Sequence, residues 1–202
     1  MAVALQRNAL PQIWVKKCYE TMKPLASFHT DFKARMAFLD KWYEETPNAY
    51  WISCFFFPQG LLTAFLQTHA RKNKIPIDTL SFKFKLTEVE KEKLLQPKEG
   101  GYIYGLFFEG AKYDTGRDTL ADEDSGKLNE PAPSIHLLPI ENHEIGENQY
   151  NCPCYKTSKR SGVLSTTGQS TNFILGIHLN SKVEKPEYWT LKGTALICQL
   201  NY

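Results

Sequence analysis

Apolar side chains recur at helical spacing along the first third of the chain. Either Ser27 or Thr30 can begin a helix here. The apolar residues of this stretch fall at i, i+4, i+8, i+11, i+14 and i+15, and they are Phe28, Phe32, Met36, Leu39, Trp42 and Tyr43. This spacing predicts an amphipathic helix whose apolar stripe belongs to the core. A shorter helix capped by Asn8, with Pro11 in its first turn, is predicted before it. The apolar residues of that helix are Leu10, Ile13, Trp14 and Tyr19.

The stretch from Trp51 to Gly60 is predicted to join two halves of the protein. Its candidate junction residues are Trp51, Phe55, Phe56, Phe57 and Pro58. The fixed φ of Pro58 suits the first turn of a helix, and Pro76 closes the helical pattern that follows. We therefore expect the junction aromatics to be buried and residues 8–74 to form a small helical bundle.

Beyond residue 79 the apolar period changes from helical to alternating. Four apolar residues, Leu80, Phe82, Phe84 and Leu86, alternate with Ser81, Lys83 and Lys85. This pattern predicts a strand with one buried and one exposed face. Further strands are predicted at 102–108, 134–140, 149–157, 171–180 and 192–201, and Gly105 indicates a bulge or tight bend in the first of these.

Helices followed by strands predict a segregated α+β fold. Residues 1–77 are predicted to be a helical bundle subdomain. Residues 78–202 are predicted to be a subdomain built as an incomplete six-stranded antiparallel β-barrel.

Composition and charge narrow the class of protein. The sequence has 202 residues, of which 42% are hydrophobic and 13% aromatic, so it can bury a core. Residues 1–77 carry ten Lys and Arg against five Asp and Glu, whereas the remainder carries fourteen against seventeen. This charge asymmetry is too weak to indicate nucleic-acid binding, but it is compatible with a docking patch on the basic half. No apolar run is long enough for a membrane span, and the N-terminus lacks a secretory pattern, so a soluble intracellular protein is expected.

The five cysteines do not suggest a disulfide framework, because their number is odd. Cys18, Cys54 and Cys198 lie among apolar neighbours and are predicted to be reduced, buried thiols. Cys152 and Cys154 could offer two thiolates to zinc, but no nearby cysteine or histidine pair completes a tetrahedral set. No metal is therefore expected.

The loop from Gly162 to Ser170 resembles a phosphate-binding loop only superficially. Five residues separate its glycines where four are required, Gln169 takes the place of the lysine, and a strand rather than a helix is predicted next. The Asp-Thr-Gly at Asp114 has no second copy, and the acidic run from Asp122 lacks the glycine and the ligands of a calcium loop. We expect no catalytic residue and no cofactor.

Several segments resemble the C-terminal region of dynein heavy chains. In sequence order they include Trp51-Ile52-Ser53, Phe55-Phe56-Phe57-Pro58-Gln59-Gly60, Gly101-Tyr102-Ile103-Tyr104-Gly105-Leu106-Phe107, Leu164-Ser165-Thr166-Thr167-Gly168, Ser170-Thr171-Asn172-Phe173 and Ala195-Leu196-Ile197-Cys198-Gln199-Leu200. The resemblance covers about residues 10–200, and the Ser-Thr-Thr-Gly and Ser-Thr-Asn-Phe pieces resemble the axonemal members. Cys54, Tyr113 and Cys154 depart from the family pattern.

The resemblance implies a non-catalytic module seated on one face of the ring of AAA+ modules in the same heavy chain. There it would modulate an ATP-driven, minus-end-directed microtubule motor of cilia and flagella, with other dynein subunits as possible further partners and no contact with nucleic acid or membrane. The nucleotide sites, the linker and the stalk would lie elsewhere in the parent protein. The alternative is a stand-alone barrel that binds a small apolar ligand or a partner protein.

The candidate docking residues lie in the first helix and just after it. They are Ile13, Trp14, Lys16, Lys17 and Lys23. Few residues precede this helix to shelter its apolar side chains, and its half of the sequence carries the excess of positive charge. We therefore expect an apolar or basic surface on this side that is covered in the whole motor.

Overall fold

The computed structural model describes residues 6–142, 145–160 and 172–202. Its α-helices are α1 (Gln12–Val15), α2 (Leu25–Glu44), α3 (Pro58–Asn73) and α4 (Pro186–Lys192), with short 3-10 turns at Ile52–Cys54, Ile77–Thr79 and Lys91–Lys93. None of the helices within these ranges has the length and apolar character that crossing a membrane requires.

Prolines set where the main helices begin. Pro24 is extended and immediately precedes α2, and Pro58 opens α3 as its first residue. Because a proline lacks the N–H that a first turn leaves unpaired anyway, both positions suit helix starts. Lys74 ends α3 in the left-handed conformation, with φ 58°. The predicted start of α3 at Pro58 is therefore confirmed, whereas α2 begins at Leu25, before the predicted Ser27.

The strands form two main sheets and one hairpin. They are β1 (Ala49–Trp51), β2 (Leu80–Thr87), β3 (Gly101–Tyr104), β4 (Phe107–Glu109), β5 (Lys112–Asp114), β6 (Thr119–Ala121), β7 (Asn129–Pro131), β8 (Ser134–Glu141), β9 (Gln149–Tyr155), β10 (Phe173–Asn180) and β11 (Ala195–Ile197). The first sheet has the order β1-β3-β8-β2 and the second has the order β10-β9-β11-β4-β7. Strands β5 and β6 form the hairpin.

Two pairings within these sheets are parallel, which corrects the predicted all-antiparallel arrangement. Strand β1 pairs with β3 so that Tyr50 lies beside Ile103. Strand β11 pairs with β9 so that Leu196 lies beside Cys154. Both β1 and β11 are three-residue strands that follow a helix, and short additions of this kind leave no alternating signal in the sequence.

The predicted strand at 102–108 is divided at Gly105 between the two sheets. Gly105 has φ +84°, which a residue with a side chain rarely adopts, and an added Cβ would lie 2.5 Å from Trp51 Cδ1. The backbone therefore turns there, and β3 and β4 join different sheets. The tight bend that the sequence indicated at Gly105 is confirmed. The sequence did not predict that this bend separates two strands of different sheets.

The predicted strand at 192–201 is mostly wrong. Helix α4 occupies its first residue, Gly193 ends that helix with φ 74°, and only Ala195–Ile197 is extended in the sheet. Pro186 opens α4 and the left-handed Gly193 closes it, so the sheet is entered only at Ala195. The buried Trp189 anchors the helix, because its indole donates a hydrogen bond to Ser181 Oγ over 2.8 Å.

Fully buried side chains fill the space between the two main sheets. They include Ile103, Leu106, Phe108, Leu120, Ile135, Leu137, Ile177 and Leu196. Within the described residues the two sheets do not close into a barrel, because β2 and β10 each have a neighbour on one side only. The α+β class is confirmed, and the six-stranded antiparallel barrel is not. The division into 1–77 and 78–202 stays a prediction, although β1 of the first part pairs with β3 of the second.

Candidate docking surface

Helix α1 presents its apolar residues to solvent. Pro11 precedes this four-residue helix, and its carbonyl accepts the backbone N–H groups of Trp14 and Val15. Ile13 is 64% exposed, and Trp14 and Val15 are also exposed. Because the helix makes a single turn, it has no second turn with which to bury a face. The predicted longer helix, with Tyr19 on its stripe, is therefore wrong, although Tyr19 itself is buried.

The predicted core stripe of α2 is only partly buried. Phe28 is buried, but Phe32 and Met36 are exposed and Tyr43 is 94% exposed. At 3.6 residues per turn, Phe32, Met36 and Tyr43 lie within about 40° of one another around the helix axis. They form an exposed apolar stripe along α2, so the prediction that the stripe is core is confirmed for Phe28 and wrong for these three residues.

Arg35, which the sequence pattern did not place in the core, is the buried residue in the middle of α2. Its side chain is 1% exposed, its Nε lies 2.6 Å from Asp31 Oδ2, and its guanidinium lies 3.8 Å from the centre of the Tyr19 ring. Tyr19 in turn donates a hydrogen bond to Asp31 Oδ2 over 2.5 Å. Burial, followed by this hydrogen bond, raises the pKa of Tyr19. α2 is thus rotated so that a hydrogen-bonded cation, rather than Phe32 and Met36, faces the rest of the protein.

Ring contacts join the exposed residues of α1 and α2 into one surface. The ring centroids of Trp14 and Phe28 are 6.4 Å apart, those of Phe28 and Phe32 are 6.1 Å apart, and those of Tyr19 and Phe56 are 5.6 Å apart. Tyr19 also stacks on Phe28 at 5.3 Å. We call this connected set, together with Ile13 and Met36, the aromatic face. It combines buried rings that hold its shape with partly exposed rings that a partner could cover.

The candidate lysines lie near the aromatic face but differ from one another. Lys16 and Lys17 directly follow α1 and are exposed. Lys23 is half-buried, and its ammonium donates a hydrogen bond to the backbone oxygen of Tyr202 over 2.7 Å. Lys23 therefore anchors Tyr202, whereas Lys16 and Lys17 are exposed to solvent.

The junction residues are divided between core and surface. Pro58 is buried and Trp51 and Phe55 are half-buried, whereas Phe56 is 54% exposed and Phe57 is 68% exposed. The predicted burial of Phe56 and Phe57 is wrong, because the 3-10 turn before them buries Ile52 and Cys54 instead. Ser53, a polar residue that the sequence did not single out, closes the junction. Its hydroxyl donates a hydrogen bond to Cys198 O over 2.6 Å.

Comparison with known proteins identifies the family. A family model for the C-terminal domain of the dynein heavy chain matches residues 1–198. The protein belongs to this family.

Individual relatives agree with the family match. The sequence is 43% identical over 206 residues to dynein axonemal heavy chain 1 of Rattus norvegicus, with 100% of this chain and 4% of that protein covered. It is 39% identical over 216 residues to dynein axonemal heavy chain 6 of Homo sapiens, with 96% and 5% covered. It is 41% identical over 195 residues to dynein axonemal heavy chain 12 of Homo sapiens, with 95% and 6% covered. The sequence thus spans about one twentieth of the length of these relatives.

The cysteines of this dynein C-terminal domain are free thiols. Cys54, Cys152, Cys154 and Cys198 are buried, and Cys18 is partly exposed. Burial raises the pKa of Cys152, and a hydrogen bond with Cys198 together with burial raises the pKa of Cys154. The prediction of reduced, buried thiols is confirmed for Cys54 and Cys198, and only in part for Cys18.

The side chains that could bind a metal are not grouped in the described part of the domain. Within it, no three His, Cys, Asp or Glu side chains come together as a metal site. Asp122 instead accepts hydrogen bonds from Lys192 and Tyr188, and the Lys192 bond holds the pKa of its carboxyl below the usual range. The loop from Gly162 to Ser170 lies outside the described residues.

Proposed function

We propose that this domain is a non-catalytic regulatory and structural module of an axonemal dynein heavy chain. In this proposal it docks through the aromatic face on the AAA+ ring of the same heavy chain. The observation that carries the proposal is the continuity of that face, in which Trp14, Phe32 and Phe56 are each exposed and are linked through Phe28 and Tyr19.

An exposed apolar cluster of this kind favours an interface, because without one its apolar surface stays in contact with water. Apolar side chains scattered singly over a surface are ordinary, but a contiguous apolar patch rimmed by polar residues usually marks a contact with another protein. Arg35 keeps the patch exposed, because its guanidinium packs on Tyr19 and Trp51, outside α2, and so fixes the rotation of the helix. Lys16 and Lys17 add positive charge at one side, which would favour an acidic region of the ring.

The larger function belongs to the parent protein. Its relatives are named axonemal dynein heavy chains, which implies a location in the axoneme of a cilium or flagellum. In our proposal the parent is an ATP-driven, minus-end-directed microtubule motor whose nucleotide sites lie outside this domain. Docking would bias the conformations of the ring by contacting some of them better than others.

Substitutions on the aromatic face of the full heavy chain would test the docking. Phe32→Asp combined with Met36→Asp, and separately Lys16→Glu combined with Lys17→Glu, should each change the microtubule-stimulated ATPase rate or gliding velocity by about fivefold or more, as a coupling between sites of ordinary strength would. Leu191→Asp is the matched control, because Leu191 is 90% exposed on α4, and it should leave both rates unchanged. Wild-type rates in both doubly substituted motors would refute docking through this face.

A further inference from the structure

A second surface, separate from the aromatic face, is an open groove of about 700 Å³ beside α3. Its floor is α3, one wall holds Trp42 and Phe57, and the opposite wall is the loop that carries Lys98 and Glu99. Trp14, Phe32 and Phe56 do not line it. The groove therefore needs its own occupant, whatever covers the aromatic face.

The floor of the groove is a face of α3 on which a row of small residues runs beside larger ones. Gly60, Ala64 and Thr68 follow one another at i, i+4 and i+8 along α3, and Ala64 and Thr68 are exposed. Rows of this spacing are the ridges and grooves through which helices pack on each other, and small side chains let the two backbones approach closely. From Gly60 to Lys72 the face is about 18 Å long at the rise of an α-helix, which is enough for three turns of a second helix.

The wall of the groove is held in place by aromatic contacts. The Trp42 ring meets Tyr50 at 5.6 Å and Phe55 at 5.4 Å, both edge to face, and Tyr50 meets Phe65 at 5.3 Å. These contacts fix rigid apolar surfaces that need little ordering when a partner binds. Phe57 is 68% exposed at the rim, so an occupant would bury it.

One end of the groove is positively charged. Lys72 Nζ lies 2.5 Å from Glu99 Oε1, and His69 Nδ1 lies 2.8 Å from Glu99 Oε2, so the one carboxylate among the described lining residues is already engaged. Lys98 is exposed on the same wall and makes no ion pair with any described residue. An acidic group on the occupant would therefore be attracted to this end.

We propose that the groove binds an amphipathic helix of a partner protein that carries an acidic residue at the end facing Lys98. The small-residue floor and aromatic wall select a helix with apolar side chains at i, i+3, i+4 and i+7, as in other helix-in-groove complexes. The charge of Lys98 fixes its direction along α3. This site is additional to docking on the ring and does not depend on it.

A designed peptide tests the site on the 202-residue protein itself. The probe is a fluorescein-labelled helix of about 16 residues with leucines at that spacing and glutamates at one end. The comparison peptide has lysines in place of the glutamates, and a third has the same residues with the leucine spacing scrambled. Fluorescence anisotropy should show binding of the acidic peptide at micromolar concentrations, with the other two weaker by about tenfold or more.

Variants of the protein locate the binding. Ala64→Arg fills the floor and should weaken binding of the acidic peptide by about tenfold or more, whereas Ala34→Arg, at an exposed alanine of α2, should not change it. Phe57→Ala should weaken binding and its neighbour Phe56→Ala should not. Lys98→Glu should abolish the preference for glutamate over lysine.

Several results would overturn the proposal. They are an absence of binding at about 1 mM peptide, equal binding of the scrambled peptide, and binding that Ala64→Arg does not weaken. Sedimentation of the protein without peptide tests whether a second copy of the protein occupies the groove instead. A dimer that Ala64→Arg abolishes would show that a second copy, not a partner helix, fills the groove. Because the probe needs no ring, failure of this test would leave docking through the aromatic face unaffected.

Discussion

The helical segment and the sheets of this domain bury their side chains in different ways. Between the sheets lie fully buried residues such as Ile103, Phe108 and Leu137. In the helical segment, by contrast, the most deeply buried side chain of α2 is Arg35, and Phe32 and Met36 on the same helix are exposed. The sheets thus provide a closed apolar core, whereas α2 is held largely by ring contacts and by the packing of Arg35 on Tyr19 and Trp51.

This difference shows which region is specialised for contact. In the sheet region the exposed large apolar residues, such as Leu95, Leu128 and Val183, lie outside the strands, and the strands themselves pack into the core. The helical segment leaves apolar rings on two surfaces, the aromatic face and the groove beside α3. We therefore expect substitutions in the sheets to change mainly stability, and exposed positions in the helical segment to change mainly binding.

The largest effect is expected at Phe108, in the sheet core. Phe108→Ala should lower the free energy of unfolding by about 3–5 kcal/mol, because it leaves a cavity among fully buried neighbours. Urea denaturation of the purified protein measures it. Leu191→Ala, at an exposed leucine, serves as the control and should change stability by less than about 0.5 kcal/mol. A loss below about 1 kcal/mol at Phe108 would mean that the two regions do not differ as described.

The next effect is expected at Arg35, the interior cation of the helical segment. Arg35→Ala should lower the free energy of unfolding by about 3 kcal/mol, because it removes the partner of Asp31 and the cation that packs on the Tyr19 ring. Lys33→Ala, on the exposed side of α2, should leave the free energy of unfolding nearly unchanged. Equal unfolding midpoints for the two variants would contradict the interior role of Arg35.

A smaller effect is expected from raising the pH. Burial raises the pKa of Cys54 to about 11, whereas the thiol of an unfolded protein ionises near about 8.5. The unfolded state therefore loses this proton first, so the contribution of Cys54 is complete below about pH 8.5 and is lost as the pH rises towards 11. We expect the free energy of unfolding to fall progressively over that range.

Two substitutions separate the thiol contributions of the two regions. Cys54→Ala should make the decline in unfolding free energy above about pH 8.5 shallower. Cys152→Ala should also do so, because burial raises the pKa of the Cys152 thiol in the sheet core. An identical pH profile in the wild type and in Cys54→Ala would show that the Cys54 thiol is not buried in the native state.

The smallest effect is expected at the exposed aromatics of the junction. Phe56→Ala and Phe57→Ala should each cost less than about 1 kcal/mol, since both side chains are more than half exposed. Their effect should be visible in binding instead. Thermal melts of both variants provide the check, and a loss as large as that of Phe108→Ala would place these rings in the core after all.

Local signals predicted the elements whose burial is one-sided and regular. The alternation from Leu80 to Leu86 predicted β2, and Pro58 predicted the start of α3, because each signal arises within the element itself. The split at Gly105 between two sheets and the parallel additions of β1 and β11 depend on distant neighbours. The sequence of a three-residue strand does not determine which strands it pairs with.

The candidate surface was predicted only in part. Ile13 and Trp14 are exposed as expected from the short helix that holds them. The exposure of Phe32 and Met36 was missed, because helical periodicity reports that apolar residues share a face but not whether anything covers that face. Arg35 carried the missing signal, since it lies at i+7 from Phe28 with Asp31 four residues before it, where an ion pair can form inside one helix.

The parallel pairing of β1 with β3 has a mechanical consequence. Strand β1 follows α2 closely and is bonded along its whole length to the first sheet, with Trp51 packed against Gly105, where the backbone passes to the second sheet. A pull on α2 along the direction of β1 would load all three residue pairs in shear, so that they resist together rather than open one after another. A load that reaches α2 from this direction is thus passed to the first sheet next to the point where the backbone enters the second, so that part of the domain would resist tension as a stiff unit.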